Sequence, residues 1–308
     1  MLKTNYACDM HSHSTRSDGG DTPEELIENA ANLGMYALGL TDHDTPPPEK
    51  IGGMPAADFA RQRDLILVPG YEFSCDTNLD DVHICGYGLD WNHPLLLAEV
   101  EAAKCSKSNA YRELCEILTR AGYVIDWERD ILENVPGKSP ETVQRKHVFE
   151  AMARLGYTST WSDAKLLVRD TPEFNNKRRK IDPFEAVKLI HTCGGIAVLA
   201  HPYLIDEAIN VPGRPATRHE FILQLFEAGL DGIEARYTYD KTTYKGTQTP
   251  EEIEAEVRAR YSGCAKFFSA GSDYHADYKK NASKVRSLGE RGLTVEEFSA
   301  APFADFLS

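Results

Sequence analysis

Ala37-Leu38-Gly39-Leu40-Thr41-Asp42-His43-Asp44 packs into eight residues a pattern that recurs along the whole chain. Its first half is small and apolar, the length of one buried strand, and its second half is polar, with an imidazole between two carboxylates. Tyr6-Ala7-Cys8-Asp9-Met10 leads in the same way into His11-Ser12-His13, and Leu65-Ile66-Leu67-Val68 into Pro69-Gly70-Tyr71-Glu72. Ile196-Ala197-Val198-Leu199-Ala200 leads into His201-Pro202, and Lys266-Phe267-Phe268-Ser269-Ala270 into Gly271-Ser272-Asp273-Tyr274-His275. Asp81-Val82-His83-Ile84-Cys85-Gly86 carries His83 inside a short strand, and Asp231-Gly232-Ile233-Glu234-Ala235 is a further strand.

Helical patterns fill the intervals. Thr22-Pro23-Glu24-Glu25 is a capping box with proline at the first helical position, followed by Leu26, Ala30 and Leu33 at helical spacing and by Gly34 as a stop. Asp182-Pro183-Phe184-Glu185 repeats that start before Ala186, Val187, Leu189 and Ile190. Strands alternating with helices predict an α/β fold with a mostly parallel sheet. Polar groups gathered at strand ends are where a β/α barrel places its active site. Residues 93–180 differ: Pro94 to Ala121 is one long helical pattern, with others over Trp127–Leu132 and His147–Gly156, and no strand signal. The expected organisation is a discontinuous barrel over 1–92 and 181–308, interrupted at 93–180 by a helical insertion that serves as a substrate cap.

At 308 residues the chain can bury a full core, and 42% hydrophobic with 27% charged residues describes an ordinary globular protein. No apolar run is long enough to span a bilayer, and Met1-Leu2-Lys3-Thr4-Asn5 has no secretory pattern, so the cytoplasm is the expected compartment. Seven scattered cysteines without a CxxC pair fit reduced, mostly buried thiols. A net charge of −14 argues against long nucleic acid as a partner. It leaves room for a small anion, because bound divalent cations would reverse the local sign.

Nine groups able to bind metal stand at these strand ends and in their loops: His11, His13, Asp18, His43, Glu72, His83, His201, Asp273 and His275. Six of the ten histidines belong to this set, while His93, His147, His191 and His219 lie elsewhere. In an extended segment, His11 and His13 project to the same side and can share one ion. Imidazole with carboxylate suits Zn, Mn or Fe. A single histidine here would read as a hydrogen-bonded loop residue, whereas the repeated grouping reads as a metal centre.

Taken together, Asp9-Met10-His11-Ser12-His13, Ser17-Asp18-Gly19, Thr41-Asp42-His43-Asp44, Glu72, His83, His201-Pro202 and Gly271-Ser272-Asp273-Tyr274-His275 resemble the motifs of the polymerase and histidinol phosphatase (PHP) family, in order and with every ligand position filled. The resemblance implies a distorted (β/α)7 barrel, similar to a TIM barrel, holding two or three divalent ions. It implies one site from His11, His13, Glu72 and Asp273, a second from Asp18, His43 and His275, and a third from His83 and His201 with Glu72 bridging. Asp18, a histidine in some relatives, favours harder ions, so Mn is expected, with Mg, Fe or Zn as alternatives.

Two metals about 3.5–4 Å apart can hold a bridging hydroxide and clamp a phosphoryl group. Phosphomonoester hydrolysis is the expected chemistry. Arg16 can donate to a non-bridging oxygen or be a plain surface arginine. His201 and His43 are the candidates for the leaving-group acid, in competition with their use as ligands. In the branch of the family that acts on nucleotides, the segment resembling Gln144-Arg145-Lys146-His147 holds substrate, which implies that Arg145 and His147 reach toward a ligand. The alternative is a solvated helix start capped by His147. Lys177-Arg178-Arg179-Lys180 reads as an exposed charge run.

Asp42 and Asp44 are expected to orient ligand imidazoles, with helix capping as the rival role for Asp44. Glu234 is either a polar support for the site or a partner of Arg236. Tyr237, Tyr239 and Tyr244 either stack on a base or pack their loop. The expected substrate is a small nucleotide such as AMP or a 3′,5′-nucleoside bisphosphate, with short oligonucleotide ends as a variant. Histidinol phosphatase and a non-catalytic accessory module are the alternatives. Amidohydrolase chemistry ranks low, because no lysine stands at a strand end to carry a bridging carbamate.

Overall fold

The computed structural model describes residues 2–75, 82–174, 176, 178–211, 214–280 and 282–306. Asp81 and Lys177, which the sequence places in a strand and in a charge run, lie outside them. The chain divides into two compact units, Met1–Leu97 with Ile181–Ser308, and Ala98–Lys180.

The first unit is a seven-stranded sheet wrapped nearly into a barrel. Its strands are β1 (Cys8–Asp9), β2 (Ala37–Leu40), β3 (Ile66–Ser74), β4 (His83–Tyr87), β5 (Ile196–Leu199), β6 (Gly232–Arg236) and β7 (Phe267–Ala270), and they neighbour one another in that order. The two ends meet where the Met10 amide donates to the Ala270 carbonyl at 3.1 Å and the His13 amide to the Tyr274 carbonyl at 2.8 Å. Neighbouring strands run parallel except at β4, which is antiparallel to both β3 and β5.

That reversal has a simple origin. β3 turns back into β4 as a hairpin, so the first residue of β4, His83, pairs with Ser74 at the far end of β3. Parallel strands bring their last residues to one rim, and the reversed strand brings its first. His83 accordingly precedes its apolar run, whereas the other groups follow theirs.

Side chains alternate along each strand, and the two faces find different partners. Leu38 and Leu40 of β2 pack with Leu67 against Leu26, Ile27 and Ala30 of the helix Pro23–Asn32 and against Phe59 and Ala60 of the helix Ala56–Arg61. Ala37 packs with Met10, Val68, Cys85, Tyr87, Val198 and Ala270 in a second cluster. The Pro23–Asn32 helix starts as its sequence requires: the Glu25 amide donates to Thr22 Oγ1 at 3.2 Å, and the Thr22 amide to Glu25 Oε2 at 2.8 Å.

The second unit is helical, with no strand among its described residues. It contains most of the helix Pro94–Arg120, a π-helical turn at Trp127–Ile131, and helices at Arg145–Arg154 and Trp161–Asp170. Leu114, Leu118, Trp127, Ile131, Phe149, Met152 and Val168 give it a core of its own. No helix among the described residues is long and apolar enough to cross a membrane.

Candidate metal centre

Glu72 is the centre of the site. It lies on the long strand β3 and is fully buried, and its two carboxylate oxygens face five imidazoles. Oε1 stands 3.3 Å from His11 Nε2, 3.0 Å from His83 Nδ1 and 3.3 Å from His201 Nε2. Oε2 stands 3.2 Å from His13 Nε2 and 2.8 Å from His43 Nδ1. Asp273 Oδ1 lies 3.4 Å from His11 Nε2, 3.0 Å from His13 Nε2 and 3.4 Å from His275 Nδ1. Asp18 Oδ1 faces His275 Nε2 at 3.1 Å and His43 Nε2 at 3.9 Å. All nine residues singled out from the sequence therefore form one connected cluster.

These atoms are close, but several are not hydrogen-bonded to one another. His11 Nε2, both ring nitrogens of His13, His43 Nδ1, Glu72 Oε2 and His201 Nδ1 are buried without a hydrogen-bond partner. An unpaired buried polar atom costs about 1–3 kcal/mol, so several in one place call for a common partner. Two donors bonded to one ion at about 2.1 Å stand about 3.0 Å apart at octahedral and about 3.4 Å apart at tetrahedral angles. Most of the observed separations fall in that interval. Among the described residues, four groups satisfy the geometry for holding a cation: His13, Asp18, His43 and His275; His11, His13 and Asp273; His11, Glu72 and Cys85; and His43, Glu72 and His83. The donor set fits divalent ions.

Charge leads to the same reading. Burial alone would lower the His13 pKa, but Asp273 and Glu72 raise it to about 9. Burial works against His11 and His201 in the same way, yet Cys85, Glu72, Glu234 and Asp273 around His11, and Glu72 and Asp273 around His201, hold both above the usual imidazole range. Burial would raise the Glu72 and Asp273 pKa values, yet the imidazoles around them hold both well below the carboxylate range. The carboxylates are thus built to stay ionised beside positive charge.

Backbone geometry aims the side chains. His201 and Asp273 adopt positive φ of 28° and 52°, where non-glycine residues rarely sit. Gly271 lets β7 close on β1, because a Cβ there would come within 2.4 Å of the His11 Cβ.

Around the site stand residues whose role the sequence leaves open, Glu234 and Tyr237, and one it does not point to, Arg286. Glu234 on β6 accepts from the His201 amide at 2.8 Å and pairs with His11 Nδ1 at 3.3 Å, which turns His11 Nε2 toward Glu72 and Asp273. It is a support of the site and no partner of Arg236, whose guanidinium pairs instead with Glu254 and Glu297. Tyr237 donates to Asp273 Oδ2 at 2.7 Å, and Arg286 Nη1 reaches the same oxygen at 2.7 Å. Tyr239 packs its loop and accepts from the Tyr203 amide, and the Tyr244 hydroxyl reaches Gln248.

Asp42 corrects an expectation. Rather than orienting an imidazole, its carboxylate accepts from the Ser14 amide, Ser14 Oγ and Ser17 Oγ at 2.6–2.8 Å, clamping the loop before Asp18. Asp44 accepts from the Ser74 amide at 3.0 Å. Arg16, exposed on the clamped loop, donates to the Pro46 carbonyl through Nε and Nη2. In the helical unit the Arg145 guanidinium lies 6.0 Å from the Phe149 ring, and the Gln144 amide donates to His147 Nδ1 at 3.0 Å, as a helix cap does.

Comparison with known proteins gives a consistent assignment. Residues 9–157 match the PHP domain. A phosphoribosyl 1,2-cyclic phosphate 1,2-diphosphodiesterase of Eggerthella lenta is 29% identical over 88% of this chain and 94% of its own. A 5′-3′ exoribonuclease of Salmonella typhimurium is 32% identical over 67% of this chain and 69% of its own. A 3′,5′-nucleoside bisphosphate phosphatase of Chromobacterium violaceum is 29% identical over 87% of each chain. Among solved structures, a candidate metal-dependent phosphoesterase from Bifidobacterium adolescentis superposes with a TM-score of 0.71 at 23% identity, over 97% of this chain and 96% of its own, which shows the shared fold.

Proposed function

Because this chain belongs to the PHP family of metal-dependent phosphoesterases, we propose that it hydrolyses a phosphomonoester of a small nucleotide, AMP or a 3′,5′-nucleoside bisphosphate. The observation that carries the hydrolytic part is the buried set of unpaired imidazole and carboxylate atoms around Glu72. The nucleotide part is supported by the similarity to a nucleoside bisphosphate phosphatase and an exoribonuclease.

His11, His13, Glu72 and Asp273 would hold one ion, and Asp18, His43 and His275 a second. His83 and His201, with Glu72 between, offer a third position. Manganese is the expected ion. When bound, such ions activate water near neutral pH and neutralise charge on the phosphoryl group.

The protein's own groups do the rest. Glu234 holds His11 in the tautomer that leaves Nε2 free for the site. The side chain of Asp18 is 55% exposed and that of His43 is 20% exposed, which makes their edge the open side where substrate enters. His43 on that edge and His201 are the candidates to protonate the leaving oxygen, each only where it is not spent as a ligand. Arg16, released from the Pro46 carbonyl, would donate to a non-bridging phosphoryl oxygen. Arg145 and His147 of the helical unit are assigned to the nucleotide.

A second reading, a cyclic phosphodiester substrate, is favoured by the near full-length similarity to the cyclic phosphodiesterase. One screen separates these. Metal-stripped protein reloaded with Mn²⁺ is assayed for phosphate release from AMP, adenosine 3′,5′-bisphosphate and histidinol phosphate, for mononucleotide release from a dinucleotide, and for ring opening of ribose 1,2-cyclic phosphate. Turnover of AMP or the bisphosphate is expected. Turnover of histidinol phosphate alone, or of the cyclic ester alone, would replace the nucleotide assignment, and silence on all five with metal bound would favour an accessory module.

A further inference from the structure

We propose that Arg286 is a positioning residue that confines Asp273 to binding a cation through one carboxylate oxygen. The inference rests on the metal-centre reading above and concerns a residue outside the nine cation-holding groups.

The two oxygens of Asp273 have separate neighbours. Oδ1 faces the ring nitrogens of His11, His13 and His275. Oδ2 accepts from the Tyr237 hydroxyl and from Arg286 Nη1, both at 2.7 Å. Arg286 is itself held in place, with Nε 2.8 Å from Asp277 Oδ2, Nη2 3.1 Å from Oδ1, and its amide 3.2 Å from Oδ2. A guanidinium gripped by one carboxylate and extended to another has no freedom to swing away. The positive φ of Asp273 and of Ala276 shows that the turn carrying the ligand is held in an unfavourable conformation, which fits a side chain fixed from outside.

This arrangement is costly if its only purpose is to bind cations. A guanidinium bonded to a ligand carboxylate would repel any cation that carboxylate holds. Arg286 therefore works against metal affinity, and its place is explained by what it does to Asp273. With Oδ2 occupied by two donors, the carboxylate cannot rotate to chelate through both oxygens. It also shares its negative charge with the guanidinium, so less of that charge reaches the cation. Both effects would leave a bound cation more electron-poor and so better able to polarise a phosphoryl oxygen.

Arg286→Met and Tyr237→Phe test this, the second removing one donor from Oδ2 without changing charge. The readouts are Mn²⁺ affinity by calorimetry, kcat and KM on the substrate found above, and thermal midpoint. For Arg286→Met the expected result is Mn²⁺ binding as tight as or tighter than wild type, kcat reduced about 10- to 100-fold, and KM within about threefold. Tyr237→Phe should move kcat the same way by a smaller factor. Weaker Mn²⁺ binding together with a lowered thermal midpoint would make Arg286 a structural brace and overturn the proposal. A KM raised about tenfold at unchanged kcat would overturn it in favour of direct substrate contact. Should no substrate be turned over, the calorimetric arm still decides: weakened Mn²⁺ binding in Arg286→Met refutes the positioning role independently of the substrate assignment.

Discussion

Glu234 shows how one carboxylate can set the chemistry of residues it does not replace. It fixes the His11 ring through Nδ1 and the His201 backbone through its other oxygen. Partners of metal-binding histidines typically contribute about 10- to 100-fold in metal affinity or activity. Glu234→Gln keeps the shape but puts an amide where one of two donors needs an acceptor. Mn²⁺ affinity measured by calorimetry is therefore expected to fall by about 10-fold or more. An unchanged affinity would show that His11 needs no partner. The sequence offered Glu234 only as one of two possibilities, because a strand residue two positions from an arginine gives no sign of which side of the sheet it serves. Arg286 and Asp277 left no usable signal at all: they lie beyond the last motif, and only the fold brings Arg286 against Asp273.

At the level of strands and helices much more was legible. The alternation of apolar runs with capped helices predicts a mostly parallel sheet, and five of its seven strands are runs that deliver a polar group toward one rim. The strand that runs the other way is β4. His83 stands before Ile84-Cys85-Gly86-Tyr87 and not after it, and that order is itself the mark of a strand entering from the rim. In the sequence alone a single short run has no direction until its neighbours are known. The role of Asp42 was missed for a related reason. An acid beside a histidine in sequence suggests a pair, but at the end of a strand adjacent side chains point apart, and Asp42 turns to the serines of a neighbouring loop. The helical character of 93–180 is legible in its missing strand signal, whereas the core around Trp127 and Phe149 depends on long-range contacts.

For the whole molecule, the cluster couples stability to pH in opposite directions with and without metal. Without ions, Glu72 and Asp273 raise His13 to about 9, and the same carboxylates raise His11 and His201. An imidazole whose pKa is raised by folding contributes stability that is fully present below its unfolded value of about 6.5 and is lost as pH rises through the folded value. Metal-free protein is thus expected to lose stability between about pH 6.5 and 9, as those protons leave a carboxylate-rich site. Metal must displace the same protons, so its binding strengthens over that range. The gap in thermal midpoint between Mn²⁺-loaded and stripped protein should widen from pH 6.5 to 9, and a gap that narrows would reverse this assignment of charge.

The central claim is that nine side chains from distant parts of the sequence form one centre for divalent cations, with Glu72 joining its parts. The most direct measurement is elemental analysis of protein loaded with Mn²⁺ and desalted, compared with Glu72→Ala treated identically. The expected result is about two to three equivalents per chain in the wild type and less than about one in the variant, because removing the bridging carboxylate leaves its imidazoles with no shared anion. Wild-type protein that retains no stoichiometric metal, or a Glu72→Ala variant that retains as much as wild type, would contradict it.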